Sequence, residues 1–176
     1  MIYLIVGNSG SGKTTQAKLL QEQAHFNKIV TYTTRPIRNG EINHIDYNFV
    51  NVSEFKELEK NNKLLGITNF SGNYYGIPKE GLNKYKNSKE SCVLVIDLSG
   101  VKEIKNEFES ICIYLKADED LLAERMEKRN ENKQVLKERL KSIQDFTPYA
   151  DYTLDAQQNI ETVHNEIMAI IKHLNN

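Results

Sequence analysis

The sequence of 176 residues has no tryptophan, three prolines and two cysteines. Each cysteine lies in an apolar run, Cys92 in C-V-L-V-I and Cys112 in I-C-I-Y-L. Thiols in such runs pack as small hydrophobic side chains, so we interpret both as buried free cysteines rather than as a disulfide or a metal pair. Unpaired cysteines are typical of a reducing compartment, and we therefore predict a cytoplasmic location.

Long apolar runs and an excess of one charge are also missing. No segment reaches the ~20 apolar residues of a membrane span, and the apolar run 1–6 is too short for a signal peptide. The 23 basic and 24 acidic residues give a net charge of −1, which provides no overall field for a polyanion or a membrane surface. We therefore predict small-molecule partners, no nucleic acid, no membrane, and a monomer or homodimer.

Apolar strand-like runs alternate with segments of helical period, which is typical of an α/β fold with a mainly parallel sheet. The predicted strands span residues 2–6, 28–33, 91–98, 111–116 and 151–155. The predicted helices span residues 13–24, 118–128, 134–145 and 160–174. At this length we expect a single domain.

Two stretches depart from this alternation. Residues 33–87 contain turn signals, short strand-like runs at 47–50 and 64–69 and a helical segment from Ser53, which predicts an inserted, partly antiparallel subdomain. Residues 129–134 are polar and turn-prone between two predicted helices, which suits a mobile lid over a phosphate site.

A glycine-rich loop follows the first strand. Residues Gly7 to Thr14 read G-N-S-G-S-G-K-T, a full match to the phosphate-binding pattern G-x-x-x-x-G-K-[ST] between a strand and a helix. In this pattern the backbone N–H groups bind phosphate oxygens, the lysine reaches the β- and γ-phosphates and the last hydroxyl ligates Mg²⁺. The predicted nucleoside triphosphate site consists of Gly7, Asn8, Ser9, Gly10, Ser11, Gly12, Lys13, Thr14 and Thr15.

A second motif lies in the inserted region. Residues 33–41 read T-T-R-P-I-R-N-G-E and hold Arg35 and Arg38 in one turn. Guanidinium groups suit bidentate recognition of phosphate. Tyr47 in D-Y-N-F and Tyr75 in S-G-N-Y-Y-G belong to the same region, and phenol hydroxyls can donate to phosphate while their rings pack a base.

The order of these motifs resembles the guanylate kinase family over essentially the whole chain. The resemblance rests on G-x-S-G-S-G-K-T-T, T-T-R-P-x-R-x-G-E, D-Y-x-F, F-S-G-N-Y-Y-G and V-L-V-I-D-L-S-G-V. It implies a phosphate-loop fold of three α/β/α layers, with an inserted nucleoside-monophosphate-binding subdomain at about 33–87 and a lid at about 129–139. The core then consists of residues 1–32, 88–128 and 140–176.

The resemblance also implies an enzyme that transfers the γ-phosphate of ATP to GMP or dGMP, giving GDP or dGDP, with Mg²⁺ as cofactor. The catalytic residues it implies are Lys13, Arg125, Arg129, Arg139 and Asp97. The monophosphate-binding residues it implies are Thr31, Arg35, Arg38, Tyr47, Tyr75 and Asp97. Thr14 is the implied Mg²⁺ ligand, together with water.

The sequence departs from the family pattern where the base is read. The family has a guanine-binding glutamate in the strand before F-S-G-N-Y-Y-G, and Gly66 occupies that position when the motifs are aligned without gaps. Ile77 replaces a family serine or threonine that also serves the guanine edge. We therefore keep open an acceptor with a pyrimidine, adenine or modified base. Two further alternatives are a non-catalytic guanylate-kinase-like binding module and a phosphate-loop kinase of a non-nucleotide substrate.

Overall fold

The computed structural model describes residues 1–70, 72–128 and 133–175. Within these residues the strands are β1 (Ile2–Val6), β2 (Asn27–Lys28), β3 (Tyr32–Thr33), β4 (Asn48–Phe49), β5 (Leu64–Phe70), β6 (Asn73–Pro78), β7 (Cys92–Val95), β8 (Ser110–Lys116) and β9 (Tyr152–Asp155). The α-helices are α1 (Lys13–Gln23), α2 (Val52–Lys60), α3 (Lys79–Asn83), α4 (Leu98–Glu107), α5 (Glu119–Glu127), α6 (Lys133–Lys141) and α7 (Ile160–Leu174).

A parallel sheet forms the centre of the fold. Its strands lie in the order β2-β7-β1-β8-β9, and each neighbouring pair is parallel. This arrangement confirms the predicted α/β fold with a mainly parallel sheet. Because the carboxyl ends of parallel strands meet at one edge, the loop after β1 and Asp97 after β7 lie at the same edge of the sheet.

Helices cover both faces of the central sheet. Ile2, Leu4 and Val6 of β1 pack with α4 in one apolar cluster, whereas Tyr3 and Ile5 pack with α1 and α7 in the other. These five side chains are at most 1% exposed. A strand buried on both faces needs apolar residues throughout, which explains the continuous apolar run before the glycine-rich loop.

A second, smaller sheet is built from segments between residues 32 and 78. Its strands lie in the order β4-β3-β6-β5. The β3–β6 and β5–β6 pairs are antiparallel and the β3–β4 pair is parallel. This sheet falls in the predicted partly antiparallel insertion, whose domain boundaries stay a prediction.

The predicted strand 28–33 is wrong as one element, because the structure divides it between the two sheets. Asn27 and Lys28 pair with β7 of the central sheet, whereas Tyr32 and Thr33 pair with β4 and β6. Between them the carbonyl of Val30 accepts a hydrogen bond from Asn48 Nδ2 at 2.9 Å. The backbone thus changes partners where the sequence shows one apolar run.

Two other predicted elements end earlier in the structure than the sequence indicates, one at a helix cap and one at a turn. The predicted strand 91–98 ends at Val95, since Asp97 is the N-cap of α4 and its side chain accepts from Gly100 N. Helix α4 and strand β6 were not predicted from the sequence. The predicted helix 134–145 ends at Lys141, where Ser142 N donates to Arg139 O at 3.2 Å in a turn.

Helix α7 confirms the predicted helix at residues 160–174. Val163, Ile167 and Ile171 are at most 5% exposed and pack against the central sheet. In the part of the chain that the structure describes, no helix combines the length and the apolar character needed to cross a membrane.

Candidate active site

The glycines of the glycine-rich loop have positive φ values, which residues with a side chain rarely adopt. Gly7, Gly10 and Gly12 have φ values of +146°, +90° and +92°. A Cβ atom on Gly7 would lie 2.5 Å from the carbonyl oxygen of Leu115. Gly12 is the N-cap of α1, so the loop leads into a helix N-terminus, whose backbone N–H groups and dipole favour an anion.

Three predicted basic residues contact or border this loop. Lys13 Nζ donates to Asn8 O at 2.9 Å, and an Arg139 guanidinium nitrogen donates to Ser9 Oγ at 2.8 Å. A nitrogen of Arg125 lies 3.4 Å from Gly10 O. The structure therefore brings Arg125 and Arg139 to the loop from two different helices, whereas Arg129 lies outside the described residues.

A cavity of about 350 Å³ connects the loop with the second sheet. The predicted phosphate-loop residues that line it are Gly7, Asn8, Ser9 and Lys13. The predicted acceptor residues that line it are Thr31, Tyr47, Tyr75 and Asp97. One cavity thus contains residues that the sequence assigned to two substrates.

Thr14 lies on an adjoining cavity that shares Thr31, Tyr47 and Val95 with the first. The Thr14 hydroxyl is an oxygen donor, which suits Mg²⁺. Among the described residues there is no cluster of three or more histidine, cysteine or carboxylate side chains suited to a metal. This chemistry fits a Mg²⁺ ion held mainly by water and substrate phosphates, as is usual for this metal.

Arg35 is held in place by an acid that the sequence analysis did not assign. Its guanidinium forms two hydrogen bonds with Glu41, at 2.6 and 3.0 Å, and lies 5.5 Å from the ring centre of Tyr47. Hydrogen bonding to Arg35 holds the pKa of Glu41 below its usual value. The backbone N–H of Arg38 also donates to Glu41, whereas the Arg38 side chain is exposed on the turn.

The two predicted phosphate-binding tyrosines are neighbours. The rings of Tyr47 and Tyr75 meet edge to face with centroids 6.2 Å apart. Burial raises the pKa of Tyr47, so its hydroxyl keeps its proton at neutral pH and can donate to an anion. Tyr47 and Tyr75 therefore form a pair of donors at the cavity. Among the described residues that line it, neither Arg35 nor Arg38 is present, although Arg35 lies against the Tyr47 ring.

Asp97 is fixed by the helix that it caps. One of its carboxylate oxygens accepts from Gly100 N at 3.1 Å and from Ser99 Oγ at 2.8 Å. These bonds orient the carboxylate at the cavity, next to Val95 and Ile96. A capping aspartate after a buried strand has a carboxylate whose position is fixed by the start of the helix.

Gly66 and Ile77, the positions that depart from the family pattern, both line the cavity. Gly66 has a φ of +55° and lies in an irregularity between Leu65 and Thr68. Its backbone N–H donates to Glu103 Oε2 at 2.7 Å. Sequence reasoning missed Glu103 because helix α4 was not predicted.

A third cavity, of about 310 Å³, lies on another side of the loop. Gly10, Gly12, Thr15 and Arg125 line it, and so do residues near the start of α7 that the sequence analysis did not single out, Gln158 and Ile160. Apolar and amide groups beside a phosphate loop suit the nucleoside part of a triphosphate. No motif in the sequence marks these two residues, since only folding brings them to the loop.

Comparison with known proteins gives a consistent result. The family model described as "Guanylate kinase" matches residues 1–174. A guanylate kinase of Fusobacterium nucleatum is 34% identical, over 98% of this chain and 96% of its own length. That of Bacillus subtilis is 30% identical, over 97% and 87%.

A solved structure agrees with these sequence matches. The crystal structure of guanylate kinase from Anaplasma phagocytophilum superposes with a TM-score of 0.72 at 26% identity, covering 98% of this chain and 84% of that one. The motifs, the phosphate-loop fold and the whole-chain match agree. The chain therefore belongs to the guanylate kinase family, a family of nucleoside-monophosphate kinases that use ATP as phosphate donor.

Proposed function

We propose that this protein transfers the γ-phosphate of ATP to GMP or dGMP. The observation that carries the proposal is the shared cavity, in which Lys13 of the phosphate loop, Tyr75 of the second sheet and Asp97 after β7 line one space. Phosphoryl transfer needs the donor and acceptor phosphates to be held in line with their charge compensated. A cavity lined by both groups of residues supports the proposal.

On the donor side, the loop N–H groups and Lys13 bind the ATP phosphates and Thr14 helps to hold Mg²⁺. The ion supplies additional positive charge near the transferred phosphoryl group. Arg125 and Arg139, both hydrogen-bonded to the loop, compensate charge that develops during transfer. Arg129 takes the same role in this proposal from its place in the sequence.

On the acceptor side, Arg35, Tyr47 and Tyr75 bind the monophosphate. Arg35 exchanges part of its contact with Glu41 for the phosphate, and Arg38 adds charge from the turn. Thr31 and Asp97 line the same cavity and contact the nucleoside. Asp97 supplies a carboxylate that can accept from the amino group of guanine.

A different base is the second candidate, and one observation favours it. Gly66 and Ile77 leave the wall around the base without the carboxylate and hydroxyl of the family pattern, and Ile77 is 4% exposed. Burying polar base atoms against such a wall without partners is unfavourable. A base with fewer hydrogen-bonding atoms than guanine would leave fewer of them unpaired at this wall, so its binding would lose less free energy.

An ADP-release assay with ATP, Mg²⁺ and a panel of GMP, dGMP, AMP, CMP, UMP and dTMP separates the candidates. The proposal predicts turnover with GMP or dGMP at least ~100-fold above the other monophosphates. A preference for another base supports the second candidate. No turnover with any monophosphate, despite ATP binding, favours a non-catalytic module or a kinase of another substrate.

The proposed subdomain at about 33–87 and lid at about 129–139 stay predictions, as do the cytoplasmic location and the monomeric or dimeric state. Residues 133–139 of that lid belong to α6, and residues 129–132 lie outside the described part of the chain.

A further inference from the structure

A β-bulge at Gly66 determines which residue of β5 faces the acceptor cavity. We propose that Thr68 contacts the base of the acceptor nucleotide, and that Glu103 positions Thr68 by holding this bulge. The inference rests on the proposed function, because it assumes that the cavity binds a nucleoside monophosphate. Thr68 then determines base preference at a wall where Gly66 has no side chain.

The pairing between β5 and β6 gives the first step. Leu65 lies opposite Ile77, and Thr68 lies opposite Tyr75. Between these pairs, Gly66 and Ile67 of β5 lie opposite the single residue Gly76 of β6. A glycine with positive φ at the first bulge position is a known form of this irregularity, and Gly66 has a φ of +55°. The extra residue shifts every later residue of β5 by one place against β6.

The shift turns Thr68 towards the cavity. Residues directly opposite in an antiparallel pair share one face of the sheet, so Thr68 lies on the same face as Tyr75. Both residues line the cavity. Without the bulge, residue 67 would lie opposite Tyr75 and an isoleucine would take this place.

Close packing around position 66 leaves no room for a side chain, so this residue has to be glycine. A Cβ atom there would lie 2.9 Å from the Cα atom of Gly100 and 3.0 Å from Ile77 Cδ1. The positive φ adds strain for any residue with a side chain. A glutamate at position 66 is therefore incompatible with this backbone, and base recognition has to come from other residues of the cavity.

Glu103 holds the bulge from helix α4. Its Oε2 atom accepts from the Gly66 N–H at 2.7 Å, a charge-assisted bond to a backbone group at the irregularity. Asp97, Gly100 and Glu103 follow one another at intervals of three residues, so the capping acid, the close contact and this acceptor lie on one side of the helix. The same helix thus fixes Asp97 at the cavity and the bulge that carries Thr68.

The chemistry at Thr68 suits a base edge. Its hydroxyl can donate and accept, and the same cavity is also lined by the apolar residues Ile77, Val95 and Ile96. A neutral hydroxyl in such a wall discriminates through one hydrogen bond, since a base without the matching group leaves it unpaired. We therefore expect Thr68 to discriminate between bases less strongly than a carboxylate would.

The test compares Thr68→Val with Thr68→Ser in the full chain, using dissociation constants from calorimetry and kcat/KM for GMP, dGMP, AMP, CMP, UMP and dTMP. Valine keeps the shape and removes the hydroxyl, whereas serine keeps the hydroxyl. We expect Thr68→Val to reduce the preference for the best acceptor about three- to tenfold. Thr68→Ser keeps the wild-type preference.

The role of Glu103 is tested on the same panel. Glu103 does not touch the substrate in this account, so Glu103→Ala should change the acceptor preference as Thr68→Val does and raise the acceptor KM. For Glu103→Ala, the kcat at saturating substrates and the KM for ATP stay near their wild-type values. Glu103→Gln keeps an acceptor oxygen, so its acceptor preference lies between that of Glu103→Ala and that of the wild type. Asn106→Ala, an exposed position of α4, is the matched control and has no effect.

The outcomes separate this inference from the proposed function. If Thr68→Val keeps the wild-type acceptor preference, or loses affinity and kcat/KM equally for every monophosphate, the proposed contact between Thr68 and the base is wrong. A wild-type Glu103→Ala profile overturns the positioning role. If the wild-type chain binds monophosphates without transferring phosphate, the proposed function fails and the dissociation constants still decide the role of Thr68. If it binds none of them, both fail.

Discussion

At the scale of single residues, the proposed phosphate transfer depends most on Lys13. Lys13 lines the shared cavity together with Asp97 and Tyr75. In the described structure it donates to Asn8 O at 2.9 Å, which keeps it folded back over the loop. Binding of phosphate replaces a carbonyl partner by a charged one, and such bonds are stronger.

We expect Lys13→Ala to lower kcat by about 10²-fold or more with every acceptor, because the variant loses charge stabilisation that all transfer reactions share. Steady-state kinetics with each monophosphate measure this effect. Lys18→Ala, in the same helix with a side chain 70% exposed, is the control and should retain wild-type kcat. A loss confined to one acceptor would show that Lys13 reads the acceptor rather than the common phosphate chemistry.

At the scale of elements, local sequence predicts the donor side better than the acceptor side. The segment from β1 through the glycine-rich loop to α1 is contiguous, and its apolar run, glycines and lysine all indicate one structure. The acceptor cavity instead combines Thr31 before β3 and Tyr47 before β4 with residues of β5, β6 and the β7–α4 junction. The bulge at Gly66 packs against Gly100 and donates to Glu103, both in a helix that is distant in the sequence, so no local pattern could predict it.

The contact between β5 and α4 predicts a specific loss of stability. We expect Gly66→Ala to lower the free energy of unfolding by about 1 kcal/mol or more beyond Gly72→Ala. Both glycines have positive φ, +55° and +75°, but a Cβ atom on Gly72 meets nothing within 4 Å whereas one on Gly66 lies 2.9 Å from Gly100 Cα. Urea denaturation measures the difference. Equal losses for the two variants would contradict the close packing of α4 against the bulge.

At the scale of the whole molecule, a buried polar contact joins the helix of the phosphate loop to the last helix. Gln16 Nε2 donates to Ile160 O at 2.9 Å, so its Oε1 faces His164 and accepts from Nδ1 at 3.2 Å. Burial lowers the pKa of His164 below its usual value of 6.5. The folded chain therefore binds a proton at this site less readily than the unfolded chain does.

The sign of the resulting pH dependence follows from this difference. The stability associated with a neutral His164 is fully present above pH 6.5 and is lost as the pH falls towards the lower pKa of the folded state, with a slope below ~1.4 kcal/mol per pH unit. We expect the free energy of unfolding of His164→Gln to fall less steeply between pH 7.5 and 5 than that of the wild type. His173→Gln, exposed on the same helix, should follow the wild-type slope. Parallel curves for His164→Gln and the wild type would refute the role of His164.

The central claim at this scale is that donor and acceptor sites of two different sheets meet in one cavity. The most direct test is calorimetric binding of adenosine and guanosine joined by a pentaphosphate, compared with ATP and GMP alone. Because linkage makes the second contact intramolecular, the account predicts a dissociation constant at least ~100-fold below that of either nucleotide. A linked analogue that binds no more tightly than ATP would contradict the account.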